Sequence, residues 1–133
     1  MNCGVIELMR PLQLVWFLMA CWWAVTAGAA VGPASPQLRC GWFENPTPGN
    51  AWLIDREGEW VVSLQGWHQA VGDWPTFKSW RWVRTNGNYG YGCTCMRVLI
   101  DPNSFTITKI LSSSSRSLAT CRRDGALKEP TPG

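Results

Sequence analysis

The chain is poor in the residues that carry most enzyme chemistry. Among its 133 residues there is one histidine, His68, and charged side chains make up only 16%. A serine or cysteine hydrolase with histidine as its base would have to use His68. A loop histidine beside Trp67 is more ordinarily a surface or packing residue. No Gly-x-Ser-x-Gly elbow is present, and Ser63 lies in an ordinary strand pattern. Carboxylate pairs for glycoside cleavage would have to come from Glu44, Asp55, Glu57, Glu59, Asp73 and Asp101. Of these, Asp55, Glu57 and Glu59 flank a hairpin turn, where acids face solvent. The net charge of +3 is too mild to point to nucleic acid. Beyond the first thirty residues no segment carries a helical period, which leaves strands as the building elements.

What the chain has instead is an apolar head. Residues 1–11 carry Arg10, residues 12–25 are an almost unbroken apolar run, and Ala27, Gly28, Ala29 and Ala30 suit signal peptidase. The expectation is a signal peptide helix over 1–30, cleaved after Ala29 or Ala30. Left uncut, residues 12–31 are long enough to span a bilayer with Arg10 on the cytoplasmic side. Leu18, Met19, Ala20 and Cys21 also resemble a bacterial lipobox, in which the cysteine is acylated, although Trp22 and Trp23 prolong the apolar run where lipoproteins turn polar. All three alternatives export the same domain to the periplasm or the cell exterior. Membrane contact is expected only through the leader.

Past the leader about a hundred residues remain, the size of one domain with one modest core. Residues 31–37 read as an extended linker, 38–124 as a β domain, and 125–133 as a flexible tail. Seven of the ten tryptophans fall between Trp42 and Trp82. A domain this small cannot fully bury that many indoles, so some stand partly exposed.

Apolar alternation with period two, punctuated by turn chemistry, organises the domain. Residues 45–50, with Pro46, Pro48 and Gly49, read as a loop. A hairpin joins residues 51–55 to 59–65 through Arg56, Glu57 and Gly58, setting Trp52 and Ile54 opposite Val62 and Trp60. Residues 67–77 form a crossing loop, and 78–85 a strand with Trp80 and Trp82 on one face. Asn86 and Gly87 suit the centre of a type I′ turn, which places Tyr91 opposite Trp82 and Tyr89 opposite Arg84, while Gly90 and Gly92 give neighbouring aromatics room. Residues 93–101 and 105–111 pair across Asp101, Pro102, Asn103 and Ser104, gathering Met96, Val98, Ile100, Phe105 and Ile107 on a core face. Cys93, Cys95 and Leu99 occupy the opposite face, and residues 112–115 are a serine loop leading to Cys121.

Arg39, Cys40, Gly41 and Trp42, then Asn45 to Pro48, then Asp55 to Trp60, and above all the run from Asn86 to Cys95 resemble the bacterial family called domain of unknown function 4087. The likeness extends from Arg39 to about Cys121. It implies an exported bacterial protein and supplies no activity.

Four cysteines, Cys40, Cys93, Cys95 and Cys121, remain in an oxidising compartment and are expected to form two disulfides. Cys93 and Cys95 share a strand face and each pairs elsewhere. The expected pairing is Cys95 with Cys121 and Cys93 with Cys40, the alternative being the exchanged one. A redox role needs a low-pKa thiol, usually at a helix N-terminus, which strand-like sequence does not offer. A zinc site from Cys93, Cys95 and His68 lacks the usual spacing. No metal, cofactor or catalytic residue is therefore expected.

The expected fold is all-β: a small antiparallel meander or half-closed barrel of about five strands around Trp60, Val62, Val98, Ile100 and Ile107. The candidate binding residues are Trp67, Trp74, Trp80, Trp82, Arg84, Tyr89 and Tyr91, because flat indoles and basic groups can anchor a protein partner or stack on sugar rings. The expected function is non-catalytic binding, as an inhibitor-like module of the bacterial envelope whose partner is an envelope protein; the alternative is a cell-wall glycan binder using exposed tryptophans.

Overall fold

A chain with period-two alternation and turn residues every few positions folds into paired strands, and a computed structural model shows how they pair. It describes Gly32 and residues 34–131. The expected leader, with the lipobox reading at Cys21, lies outside the described residues. The strands are β1 (Gln37–Thr47), β2 (Asn50–Asp55), β3 (Gly58–Leu64), β4 (His68–Gln69), β5 (Val83–Asn86), β6 (Tyr89–Asp101) and β7 (Thr106–Ser115); α1 (Leu118–Arg123) follows. A single turn of 3-10 helix spans Ser79–Arg81. The protein is mostly β.

All strands belong to one sheet of order β1-β2-β3-β7-β6-β5, with β4 beside β3 and a further pairing of β1 with β6. The pairings therefore lead from β1 through β2, β3, β7 and β6 back to β1. All are antiparallel except β3 with β7, which meet in parallel at Val61 and Thr106. Alternate residues of these strands point into a core of Phe43, Leu53, Trp60, Val62, Met96, Val98, Ile107 and Ile110, with Ile100 packed against it. The expected core is thus present, and it gains Phe43, Leu53 and Ile110.

Several elements depart from the alternation. Residues 45–50 are not all loop: β1 continues to Thr47, and only Pro48 and Gly49 turn, with Thr47 opposite Asn50. Pro46 falls in the irregularity between Glu44 and Thr47, where its missing N–H leaves no ladder bond unmade. The β2–β3 turn is one residue tighter than expected, with Asp55 opposite Gly58 and Leu53 opposite Trp60. The expected partners Trp52 and Ile54 accordingly sit on the other face. The cause is the Asp55 carboxylate, whose Oδ1 accepts from the backbone N–H groups of Glu57 (2.8 Å) and Gly58 (3.2 Å) and so closes the turn locally.

The Asn-Gly hairpin is also displaced by one residue. Gly87 and Asn88 are its centre, with Asn86 opposite Tyr89 and Val83, rather than Trp82, opposite Tyr91. Gly87 has φ 59° and Asn88 does not have positive φ, as a type II′ rather than a type I′ turn requires. The strand expected over 78–85 begins only at Val83. Arg81 donates to the Ser115 carbonyl oxygen (2.8 Å) from the 3-10 turn, so Trp80 and Trp82 do not share a strand face. Ser112 to Ser115 are strand, paired with Arg97 to Thr94. Serine carries no alternation signal, and a neighbouring strand supplies the ladder that apolar pattern does not announce. Phe105, expected on the core face, lies outside the ladder at φ 50° and is 46% exposed, although its ring tilts over Trp60.

A second cluster covers the outer face of β1 and β6. Trp42, Tyr91, Cys93 and Cys121 are buried there, with Leu118 and Leu127 packed against them. Leu118 and Cys121, three apart, share one face of α1, a helix too short to show a period in the sequence. The segment expected to be a flexible tail instead packs as far as Pro130, which is buried. The Tyr91 hydroxyl donates to Glu129 Oε1 (3.0 Å), and Arg122 grips the same carboxylate.

The disulfides are Cys40–Cys95 and Cys93–Cys121. This corrects the favoured pairing and adopts the exchanged one. The pairing of β1 with β6 sets Cys40 directly opposite Cys95, while Cys93 lies beneath α1. All four thiols are thereby held in disulfides, so Cys93 and Cys95 are not bonded to each other and neither is a free thiolate for zinc.

Two predictions follow from burial. Cys40 is exposed and Cys95 half-buried, whereas Cys93 and Cys121 are 1% and 3% exposed. Limited reduction with mass-spectrometric mapping of alkylated cysteines is therefore expected to open Cys40–Cys95 first; simultaneous opening of both bridges would contradict this ordering. Replacing Asp55 by Ala leaves Arg39 and the Trp60 indole N–H without their acceptor in the interior, and chemical denaturation should record a loss of about 3–5 kcal/mol.

Candidate functional site

The segment from Trp67 to Trp82 has too many loop-forming residues to join the ladder fully and too many aromatics to lie free in water. It crosses the inner face of β6 at two glycines. A methyl group at Gly92 would meet the Phe77 ring at 2.6 Å and the Arg81 carbonyl oxygen at 2.7 Å, and one at Gly90 would sit on the Val83 carbonyl. Only glycine lets the backbone of residues 81–83 approach this closely. The room these glycines give to aromatics, read from the sequence, is thus filled by Phe77.

Drawn in at Gly92, Phe77 stacks on Phe43 (centroids 6.1 Å apart) and lies tilted beside Trp82 (4.9 Å), while Trp74 meets Phe43 edge-on (5.7 Å). Between these rings opens a cleft of about 430 Å³, edged by the polar side chains of Asn45, Ser79, Arg84 and Asn88. The indole of Trp82 is fixed by donation from its Nε1 to the Asn88 carbonyl oxygen (3.1 Å). The Trp74 indole N–H is buried and makes no hydrogen bond among the described residues. Arg84 is the only charged residue in the lining, and no ion pair to it is formed among the described residues.

The structure therefore brings together three of the seven candidate residues: Trp74, Trp82 and Arg84. Trp80 is 69% exposed, with Lys78 over its ring at 5.1 Å, and does not line the cleft. Tyr89 is half-buried at the hairpin turn. Tyr91 is 3% exposed and belongs to the second cluster, edge-on to Trp42 at 5.4 Å, so it presents no binding surface. Burial, and then the hydrogen bond to Glu129, push its hydroxyl pKa up. Trp67 is 65% exposed and stands over a different depression, with His68 beside it.

Phe43, Asn45, Phe77 and Asn88 are cleft residues that the sequence reading missed. Phe43 and Asn45 alternate along β1, and reading that segment as strand was the signal that would have placed them beside Gly92 and Gly90. In β1 between them, Glu44 is half-buried, and its carboxyl pKa is raised by that burial and then by the nearby Glu59.

Of the residues considered for catalysis, His68, Ser63, Asp55 and Glu57 are engaged elsewhere. His68 Nε2 donates to the Ile107 carbonyl oxygen (2.8 Å), which fixes the proton on that nitrogen. Ser63 Oγ lies within hydrogen-bond distance of two backbone carbonyl oxygens, those of Gly49 (2.8 Å) and His68 (3.2 Å), so its proton is directed to the backbone. Asp55 and Glu57 both hold Arg39, at 2.6 and 2.8 Å. Arg39 is buried, which works to lower its pKa, but its hydrogen bonds to Asp55 and Glu57 outweigh this and raise it.

Because the cleft depends on Gly92, Gly92→Ala should displace Phe77 and open the packing of Trp82. The expected cost is roughly 1–3 kcal/mol, with a red shift of tryptophan emission. An unchanged emission spectrum would mean that the rings do not rely on this approach.

Neither a curated protein nor a solved structure matches the chain. The family described as Protein of unknown function (DUF4087) has a model that matches residues 34–128, from the strand bearing Arg39 and Cys40 through both disulfides to the packed C-terminal segment, and the chain belongs to that family.

Proposed function

We propose that the protein is a non-catalytic, inhibitor-like binding module of the bacterial envelope, which receives an apolar side chain of a partner protein in the cleft between Trp74, Phe77 and Trp82. The observation that carries this reading is the cleft itself: aromatic walls converge on a space of about 430 Å³, wide enough to admit a large apolar side chain, with Arg84, unpaired among the described residues, at its edge. Aromatic pockets beside arginine are where protein interfaces concentrate their binding energy. A partner that brings a carboxylate would pair with Arg84. An acceptor reaching Trp74 would satisfy an indole N–H whose burial without a partner costs on the order of 1–3 kcal/mol.

Two disulfides are compatible with an oxidising location, outside the cell or in the periplasm. Export through the N-terminal apolar segment, cleaved at the alanines, belongs to the same proposal. The non-catalytic part rests on the engagement of His68 and Ser63 with backbone carbonyls and of Asp55 and Glu57 with Arg39.

The test is affinity capture of an envelope extract, followed by calorimetry with the purified partner. One envelope protein should bind at a one-to-one ratio. Arg84→Glu, on an exposed side chain whose replacement leaves the core intact, should weaken that complex by roughly thirtyfold. Equal binding by Arg84→Glu and the unaltered protein would sink the proposal.

A further inference from the structure

The turn between β3 and β4 carries chemistry that the cleft does not use. Gly66 has φ 80°, a conformation open to glycine without strain, and the reversal it makes leaves Trp67 standing 65% exposed. Beside it lies a shallow pocket of about 380 Å³, lined by Gly49 and by Gln65, Trp67, His68 and Gln69. It shares no residue with the aromatic cleft; the cleft takes Asn45 from β1, and this pocket takes Gly49 from the turn that follows.

Three properties of the pocket narrow its ligand. No aspartate, glutamate, lysine or arginine lines it, so it offers no carboxylate, ammonium or guanidinium to pair with a charged group. Only two of its side chains are engaged: the bonds made there use Ser63 Oγ, His68 Nε2 and the Gln65 backbone N–H. Among the described residues this leaves the Gln65 and Gln69 amides and the Trp67 indole N–H to solvent, with His68 Nδ1 as an acceptor. The platform is also held in place. His68 is anchored to the Ile107 carbonyl oxygen and packs its ring 5.7 Å from the Trp67 indole, and Ser63 braces the turn through the Gly49 carbonyl. Little ordering therefore remains to be done on binding.

An indole face presents an apolar surface, and the amides beside it both donate and accept. A neutral sugar ring has the matching form, with one C–H face and an edge of hydroxyls. We infer that Trp67, with Gln65 and Gln69, is a second binding site, specific for a neutral sugar unit of a glycan. It is independent of the protein-binding cleft, so either can fail without the other.

The experiment is titration of the full chain, by calorimetry and tryptophan fluorescence, with soluble neutral oligosaccharides: β-1,4-linked glucose and N-acetylglucosamine hexamers, and α-linked glucose and mannose hexamers. Polygalacturonate serves as the charged control. At least one neutral oligosaccharide should bind saturably. Trp67→Ala should weaken it by about tenfold or more, with Trp67→Phe recovering part of the loss. Gln65→Ala with Gln69→Ala should also weaken it, and Arg84→Glu should leave it unchanged. Trp67, Gln65 and Gln69 are exposed, and circular dichroism verifies that each variant folds. The inference is overturned if none of the neutral oligosaccharides binds, if binding survives Trp67→Ala, if Arg84→Glu abolishes it, or if only polygalacturonate binds.

Discussion

The interaction on which the remaining architecture depends is the Asp55 carboxylate in the interior. Its oxygens accept from Arg39 on β1, from the Trp60 indole on β3 and from the backbone N–H groups of Glu57 and Gly58 in the turn. A charge taken out of water is tolerated when both oxygens find donors and an opposite charge lies close by, and Asp55 meets both conditions. Arg39 is fixed in turn, with its guanidinium 3.9 Å from the Trp60 ring centroid and a second carboxylate, Glu57, on its outer nitrogen. Three strands are held at one point. The two-residue length of the β2–β3 turn, and with it the set of side chains that faces the core, follows from that hold.

The adjacent residue extends the hold to the other side of β1. Cys40 points away from Arg39 and bonds to Cys95 on β6, so consecutive positions tie β1 to both of its neighbours. β1 and β6 then carry side chains into cores on both faces: Phe43 and Met96 inward, Trp42 and Cys93 outward. The outward cluster is closed by α1 through Cys93–Cys121 and by the C-terminal segment through Tyr91 and Glu129. The hydrogen bonds from Arg122 hold the Glu129 carboxyl below its usual pKa against the opposing effect of burial, with the Tyr91 hydroxyl adding a smaller lowering. With the outer face covered, the long loop after β4 folds over the inner face of β6, and its aromatics enclose a cleft instead of completing the core.

Much of this was legible in the residues. Alternation and turn chemistry identified the β2–β3, β5–β6 and β6–β7 hairpins, and the four cysteines were correctly read as two disulfides, though not in the favoured pairing. The errors share one physical origin. A register shift of one residue changes which face is buried but barely changes the local pattern, so the turn at Asp55 and the turn at Gly87 were each displaced by one. β1 was hidden by Pro46, whose missing N–H matters only where a partner needs it. Ser112 to Ser115 and α1 were hidden because pairing and a disulfide, rather than local propensity, impose their structure. In the candidate site, Trp74, Trp82 and Arg84 were legible as an aromatic and basic cluster. Tyr91, one position from two glycines, could not be told from them until its face was known.

The sequence by itself determined that the domain is β-rich, that four cysteines brace it, that Trp60, Val62, Val98 and Ile107 lie inside, and that some indoles must stay at the surface. These follow from composition and period, which are local or additive properties. The tertiary structure decided the rest: which cysteine meets which, because the opposition of β1 to β6 sets Cys40 against Cys95; and which tryptophans are walls, which are core and which stand free. Those outcomes depend on backbone approaches between distant segments, at Gly92 above all, where the absence of a side chain in one strand makes room for an aromatic ring fifteen residues away.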